Sequence, residues 1–327
     1  MSQKEIYDLI IVGGGPGGLT AGIYAMRAAL KTVLVERGLT GGQITLSDEV
    51  ENWPGNERIK GADLAMNLTN HARSYGLEVI NREVVAVEPG REFHSVVLDN
   101  KERLDAHAVI LSTGGHSRTL NIPGEAINYG RGVSYCAVCD GFFFRNKTVV
   151  VIGGGDSAVE ESLYLAKLAK QVYIVHRRDA LRAGMLLQQR LKDECKIEVL
   201  WNSIPTAINS DDDGVCSVAL QDTKTGEKRD VAADGVFIFI GFNPNNQLVP
   251  PDIRLNANGY VITDHKCETA VPGMFAIGDL REKYARQIIT AAADGATAAL
   301  AAAHYVENKK AAAACEAPAG LFSETAG

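Results

Sequence analysis

Two stretches of this chain carry the same succession of apolar run, glycines and helical spacing. Tyr7-Asp-Leu-Ile-Ile-Val12 is an apolar run of strand length, the form of a parallel strand covered on both faces. Glycines follow it, a helical stretch runs from about Leu19 to Leu30, and Thr32-Val-Leu-Val-Glu36 reads as the next strand. This is a βαβ unit. The pattern recurs with a strand at Lys147–Ile152, a helix from about Ala158 to Leu168 and a strand at Gln171–Val175. Two further apolar runs, Val109–Gly115 and Val236–Gly241, end in small residues, and the second leads into the turn-rich Phe242-Asn-Pro-Asn-Asn. Both read as crossings between domains. The pattern therefore predicts an α/β fold with two Rossmann-like domains, the second inserted into the first. The boundaries expected are 1–116 for the first domain, 117–243 for the insertion, 244–310 for the return and 311–327 for a flexible Ala-rich tail.

Composition narrows the function classes. The 327 residues are 46 % hydrophobic and 22 % charged, with a net charge of −7 and no block of like charge. That speaks against a nucleic-acid or membrane surface. No apolar run reaches the roughly 20 residues that span a bilayer. The N-terminus leads straight towards a strand, so no signal peptide is expected and a reducing cytoplasm is the expected home.

The glycines lie where a dinucleotide site needs them. Gly13, Gly15 and Gly18 follow the first strand and open the helix, with Pro16 among them. One glycine allows the tight turn, one lets the backbone approach a pyrophosphate, and one lets helix and strand pack closely. Glu36, 23 residues after Gly13, stands where a carboxylate accepts hydrogen bonds from a ribose. In the second fingerprint, Gly153, Gly155, Asp156 and Ser157 take the corresponding places, and His176 lies 23 residues after Gly153. Arg177 and Arg178 follow it, with Arg182 a turn further on. Guanidinium groups bind a 2′-phosphate through charge-assisted hydrogen bonds, whereas an acid repels it, so the second site is expected to prefer NADPH over NADH.

Of six cysteines, Cys136, Cys139, Cys195, Cys216, Cys267 and Cys315, only Cys136 and Cys139 are closely spaced. Such a pair holds two electrons as a disulfide. A structural zinc site needs a second close pair of ligands, and none is present in the sequence. Asp140 directly after Cys139 is a candidate to carry the proton of thiol–disulfide exchange. It is also a candidate capping aspartate.

Gly132-Val-Ser-Tyr-Cys-Ala-Val-Cys-Asp-Gly-Phe142 resembles the active-site segment of bacterial low-molecular-weight thioredoxin reductases. So do Gly41-Gly-Gln-Ile-Thr45, Glu49-Val-Glu-Asn-Trp-Pro-Gly55, His176-Arg-Arg-Asp-Ala-Leu-Arg182, Phe275-Ala-Ile-Gly-Asp279 and Arg286-Gln287 with the small-residue helix after it. The resemblance implies an FAD domain interrupted by an NADPH domain, in a homodimer that reduces thioredoxin. It further implies FAD contacts at Glu36, Gly41, Gly42, Gln43, Asn52, Thr113, Gly114, Gly278, Asp279, Arg286, Gln287 and Ile288. For NADPH it adds Gly241 to the second fingerprint. It implies that Cys139 faces the flavin, that Cys136 attacks the thioredoxin disulfide, and that the inserted domain rotates between the two tasks. The chain departs from the usual family pattern at Gly115-His116. A ferredoxin-fed reductase, a dithiol oxidase and a non-catalytic redox sensor remain as other readings. The three arginines speak against the first, and the intact thiol pair with Asp140 against the last.

Overall fold

The computed structural model describes residues 6–47 and 49–316. Among them the chain forms two compact units. One comprises the chain up to Thr45, Gly61–Gly115 and the chain from Pro244; the other comprises Leu46–Lys60 and His116–Asn243.

In the first unit, strand β1 (Ile6–Val12), helix α1 (Pro16–Arg27) and strand β2 (Thr32–Glu36) make a parallel βαβ turn. The spacing predicts this helix over 19–30, whereas it starts three residues earlier and ends three earlier. Pro16 fits the first helical position, where a missing N–H is harmless, and Ala29 stops the helix in a left-handed conformation at φ 57°. Helix α2 (Gly61–Ser74) leads to β3 (Glu78–Asn81), β4 (Val84–Glu88), β5 (His94–Leu98) and β6 (Arg103–Leu111). The sheet order is β3-β2-β1-β6-β5-β4. Strands β1, β2, β3 and β6 are parallel, while β5 and β4 join antiparallel. Leu9, Ile10, Ile11, Val109, Ile110 and Leu111 are fully buried, as strands covered on both faces require.

A short strand β7 (Gly115–Ser117) carries the chain onward. The second unit contains β8 (Val133–Ser134), α3 (Ala137–Asp140), β9 (Thr148–Gly153), α4 (Asp156–Ala166), β10 (Gln171–Val175), α5 (Met185–Lys192) and β11 (Ile197–Leu200). It continues with β12 (Ser203–Asp211), β13 (Gly214–Asp222), β14 (Lys228–Ala232) and β15 (Gly235–Phe239). The order β11-β10-β9-β15-β8 is all parallel, and β12-β13-β14 is a separate antiparallel meander. Strand β16 (Phe242–Pro244) leads back to the first unit. There β17 (Met274–Ala276) pairs with the second half of β6, whose first half pairs with β5.

The last helix, α6 (Ile288–Glu316), runs six residues into the segment for which the composition predicts a tail. Residues 317–327 lie outside the described residues. Against α1 it makes a close contact. A Cβ on Gly295 would strike the carbonyl oxygen of Gly17 and come within 3.0 Å of the Ala21 nitrogen. Gly295→Val is therefore expected to cost about 1–3 kcal/mol by overpacking. Thermal unfolding checks this, with Leu300→Ala on the same helix as a control, because Leu300 is 55 % exposed and its truncation should leave the transition nearly unmoved.

Candidate functional site

Open parallel sheets bind ligands at the carboxyl ends of their strands, where the chain leaves one strand to either side. In the first unit β1 stands between β2 and β6. The turn after β1 uses its glycines for three different reasons. Gly13 sits at φ +106°, and a Cβ there would run into the Ser112 carbonyl oxygen. A Cβ on Gly18 would strike the Gly13 oxygen, so the helix could not approach its own strand. At Gly15 a Cβ would meet nothing within 4 Å, so open space faces the start of α1. No side chain caps that helix end, and its first N–H groups face that space as an anion site.

Around this turn stand the other residues expected to hold FAD. Glu36 Oε2 accepts from Gly14 N at 2.7 Å and Oε1 from Gly38 N at 3.0 Å. A carboxylate has about four acceptor sites, which leaves capacity for ribose hydroxyls. Gly41 N donates to Gly14 O at 2.7 Å, which seats Gly41, Gly42 and Gln43 beside the turn, and Gln43 Nε2 donates to Gly115 O. Thr113 Oγ1 donates to Asn245 O at 2.7 Å, Asn245 Nδ2 returns a bond to Thr113 O at 2.8 Å, and Asn245 N donates to Gly114 O at 2.9 Å. Gly278 and Asp279 follow β17, Arg286 lies 4.4 Å above the Tyr260 ring, and Gln287 and Ile288 open α6. Asn52 belongs to the 46–60 segment, which groups with the second unit.

Asp279 is the most telling of these. Its Oδ1 is buried and has no hydrogen-bond partner among the described residues. Burial pushes its carboxyl pKa up, against the pull of Lys283 and Arg286. A buried acceptor left open at a strand end is where a hydroxyl-rich chain belongs, and the ribityl and ribose groups of FAD fit it. The turn carrying Asp279 is fixed by a residue that the sequence did not single out. Asp294 on α6 accepts from Gly278 N at 3.0 Å, from Arg281 at 3.0 Å and from Lys283 at 2.8 Å.

The second unit repeats the turn with different chemistry. A Cβ on Gly153 would lie 2.5 Å from Phe239 O, whereas at Gly155 the nearest atom would be 3.9 Å away on Arg182. Asp156 and Ser157 open α4. The loop after β10 is held to this turn by three bonds. His176 Nδ1 lies 3.0 Å from Gly153 O, Arg182 N donates to Gly154 O at 2.7 Å, and Gly184 N donates to Asp156 Oδ1 at 2.8 Å. Arg177, Arg178 and Arg182 are exposed and have no acidic partner among the described residues. His176 stands at the base of the loop that carries the arginines. Its ring is buried, and Nε2 lies 3.0 Å from Ala180 O, so both nitrogens are taken by the backbone. It braces the loop that presents the arginines. Gly241, after β15, accepts from Arg118 N at 2.9 Å.

The thiols lie in the same unit. Cys136 and Cys139 are joined as a disulfide, with Cα atoms 5.3 Å apart. Cys136 is the N-cap of α3, and its Sγ accepts from Cys139 N at 3.2 Å. Asp140 makes no capping bond to the turn at Gly141–Phe144, so the capping reading falls. Its Oδ2 instead lies 2.5 Å from Ser134 Oγ. Ser134 is buried at the end of β8, opposite Phe237 of β15, and its Oγ also accepts from Cys136 N at 3.0 Å. Burial pushes the Asp140 carboxyl up, and the Ser134 hydrogen bond opposes this. Just before the pair, Tyr135 donates to Glu125 Oε1 at 2.8 Å, and Glu125 also accepts from Leu120 N and Asn121 N. Cys195 and Cys216 are exposed single thiols, whereas burial pushes Cys267 up to about 11. The Cys315 side chain lies outside the description.

The chain matches the model of the pyridine nucleotide-disulphide oxidoreductases over residues 7–295. It is 47 % identical to thioredoxin reductase of Bacillus subtilis (strain 168), over 94 % of this chain and 97 % of that protein. It is 46 % identical to thioredoxin reductase of Treponema pallidum (strain Nichols), over 92 % and 97 %. The crystal structure of thioredoxin reductase from Streptococcus pyogenes MGAS5005 superposes with a TM-score of 0.90 at 42 % identity, covering 94 % of this chain and all of that one. With its two glycine turns and its closely spaced disulfide, the chain belongs to the pyridine nucleotide-disulphide oxidoreductases and, within them, to the thioredoxin reductase family.

Proposed function

We infer that this chain is an NADPH-dependent thioredoxin-disulfide reductase that works through FAD. The observation that carries the reading is the Cys136–Cys139 disulfide, in one unit with a glycine turn flanked by three exposed arginines. A disulfide served by a nicotinamide site has one economical use, the reduction of another disulfide. Bound FAD supplies the two-electron relay between nicotinamide and disulfide.

The residues divide the work. Gly13, Gly15, Pro16 and Gly18 hold the FAD pyrophosphate, Glu36 takes a ribose, and Asp279 takes a hydroxyl of the ribityl chain. Gly153, Gly155, Asp156 and Ser157 hold the NADPH pyrophosphate, and Arg177, Arg178 and Arg182 clamp its 2′-phosphate. In exchange, the Cys136 thiolate bonds to one sulfur of the partner disulfide, and the other partner sulfur leaves and takes a proton. The Cys139 thiolate then attacks the Cys136 sulfur, releases the second partner thiol and restores the Cys136–Cys139 disulfide. Asp140 carries the proton, because it is the partly buried carboxyl next in sequence to the pair. Among the described residues no helix is long and apolar enough to cross a membrane. Homodimer assembly, implied by the resemblance, and residence in the cytoplasm, expected from the sequence, belong to the same reading, and sedimentation of the purified protein tests the first.

Three outcomes test this. Arg177→Ala with Arg178→Ala removes charge-assisted bonds worth about 1.5–3 kcal/mol each in favourable cases. The NADPH preference should fall roughly tenfold or more, with NADH turnover nearly unchanged; equal losses with both nucleotides would mean that the arginines serve folding. Asp279→Ala should weaken FAD binding to the apoprotein by about tenfold or more, read by titration of the flavin absorbance. Cys139→Ser should trap a covalent complex with a thioredoxin that lacks its own resolving cysteine, visible on non-reducing gels. Cys136→Ser should trap far less, and the reverse result would exchange the two roles.

A further inference from the structure

A partly buried acid that carries a proton in each turnover meets a difficulty that a fully exposed one does not. Its ionised form needs a hydrogen-bond donor and its protonated form an acceptor, and on the side that faces the protein a protein group must supply both. An amide or ammonium donor serves only the ionised form. A hydroxyl serves both, since it has one proton to give and two lone pairs to receive with.

Asp140 has such a hydroxyl at Oδ2, and that contact can be kept in both states. Ser134 Oγ lies 2.5 Å from Asp140 Oδ2, accepts from Cys136 N at 3.0 Å, and lies 3.2 Å from the carbonyl oxygen of the same Cys136. With Asp140 ionised, the serine proton points to Oδ2 and one lone pair holds Cys136 N–H. With Asp140 protonated, the acid donates to the second lone pair, and the serine proton turns to Cys136 O. Every donor then still has an acceptor. The rotation moves one hydrogen and no heavy atom.

We propose that Ser134 is a positioning residue for disulfide exchange, a buried two-way hydrogen-bond partner that lets the partly buried Asp140 gain and lose its proton while the Ser134–Asp140 contact is kept. Both of its alternative contacts other than Asp140 are to the backbone of Cys136, so the change of state reaches the attacking cysteine directly. Tyr129 is the other titratable group that faces Asp140; burial and the Asp140 charge both hold its hydroxyl protonated. Its ring lies 5.5 Å from that of Tyr135, which is tied to Glu125. Glu161 of α4 accepts from Ala137 N at the start of α3, and burial pushes its carboxyl up. Among the described residues no Lys, Arg or His acts on Asp140, and burial and Ser134 are what set its titration.

This rests on Asp140 being the proton carrier, and the experiment separates the two ideas. Thioredoxin reduction by the FAD-loaded protein is followed from pH 5.5 to 9 for the unmodified chain, Ser134→Ala, Ser134→Thr and Asp140→Asn. Ser134 donates to the ionised carboxylate and so favours that form; its removal pushes Asp140 further up. The acid limb, where Asp140 must be ionised to accept a proton, should move to higher pH by about one unit in Ser134→Ala. The rate at the optimum should fall roughly tenfold. Ser134→Thr, which keeps the hydroxyl, should restore the position of the limb. A Ser134→Ala profile that superimposes on the unmodified one, while Asp140→Asn loses activity, overturns the inference and leaves the role of Asp140 standing. Equal losses in both serine variants with no shift in pH overturn it in favour of simple packing. If Asp140→Asn keeps its activity and profile, the proton-carrier assignment itself fails.

Discussion

The rest of this structure depends on the close approach of a helix to the strand that precedes it. In the first unit that approach brings Gly18 against the Gly13 carbonyl, leaving no room for a side chain. In the second the same work falls to Ala158, fully buried at the start of α4, with Gly153 close against Phe239 O. Only with the helix this near does its N-terminus, with its partial positive charge, open onto the space at Gly15 or Gly155. The packing of Gly13 and Gly18 thus sets the open space that Gly15 leaves at the helix start.

The two turns diverge one strand later, and the divergence is electrical. Glu36 accepts from two backbone N–H groups, so its loop is organised around a negative charge. His176 reaches carbonyl oxygens instead, and the loop beyond it carries the arginines. The same scaffold position therefore holds an acceptor in one unit and a donor in the other. On the proposed reading, this difference is what suits each unit to its nucleotide.

Both βαβ repeats, the strand ends and the thiol pair were legible in the sequence because each is local: a run of apolar residues, a glycine spacing, a two-residue gap. What escaped depends on contacts distant in sequence. Asp294 gains its meaning only when α6 lies beside the turn at Gly278. Ser134 looks like an ordinary serine until β8 pairs with β15 and Asp140 folds back to it. His176 was legible as part of a basic cluster, but its burial was not, since that follows from the path of the loop to Ala180. The antiparallel β12-β13-β14 meander and the grouping of 46–60 with the second unit left no periodic signal. The last turns of α6 ran on where alanine content suggested looseness, and alanine is the best helix former of all.

The loop that presents the arginines carries a consequence for how such an enzyme can change. Its path is set by backbone groups of Gly153, Gly154, Ala180, Arg182 and Gly184, together with the His176 ring and Asp156. The three guanidinium groups contribute nothing to that path. On the proposed role of the arginines, shape and preference rest on different atoms, and mutation can reach the second without disturbing the first. Descendants of this chain could drift between nucleotides through a few exposed codons while the fold underneath stays silent to selection.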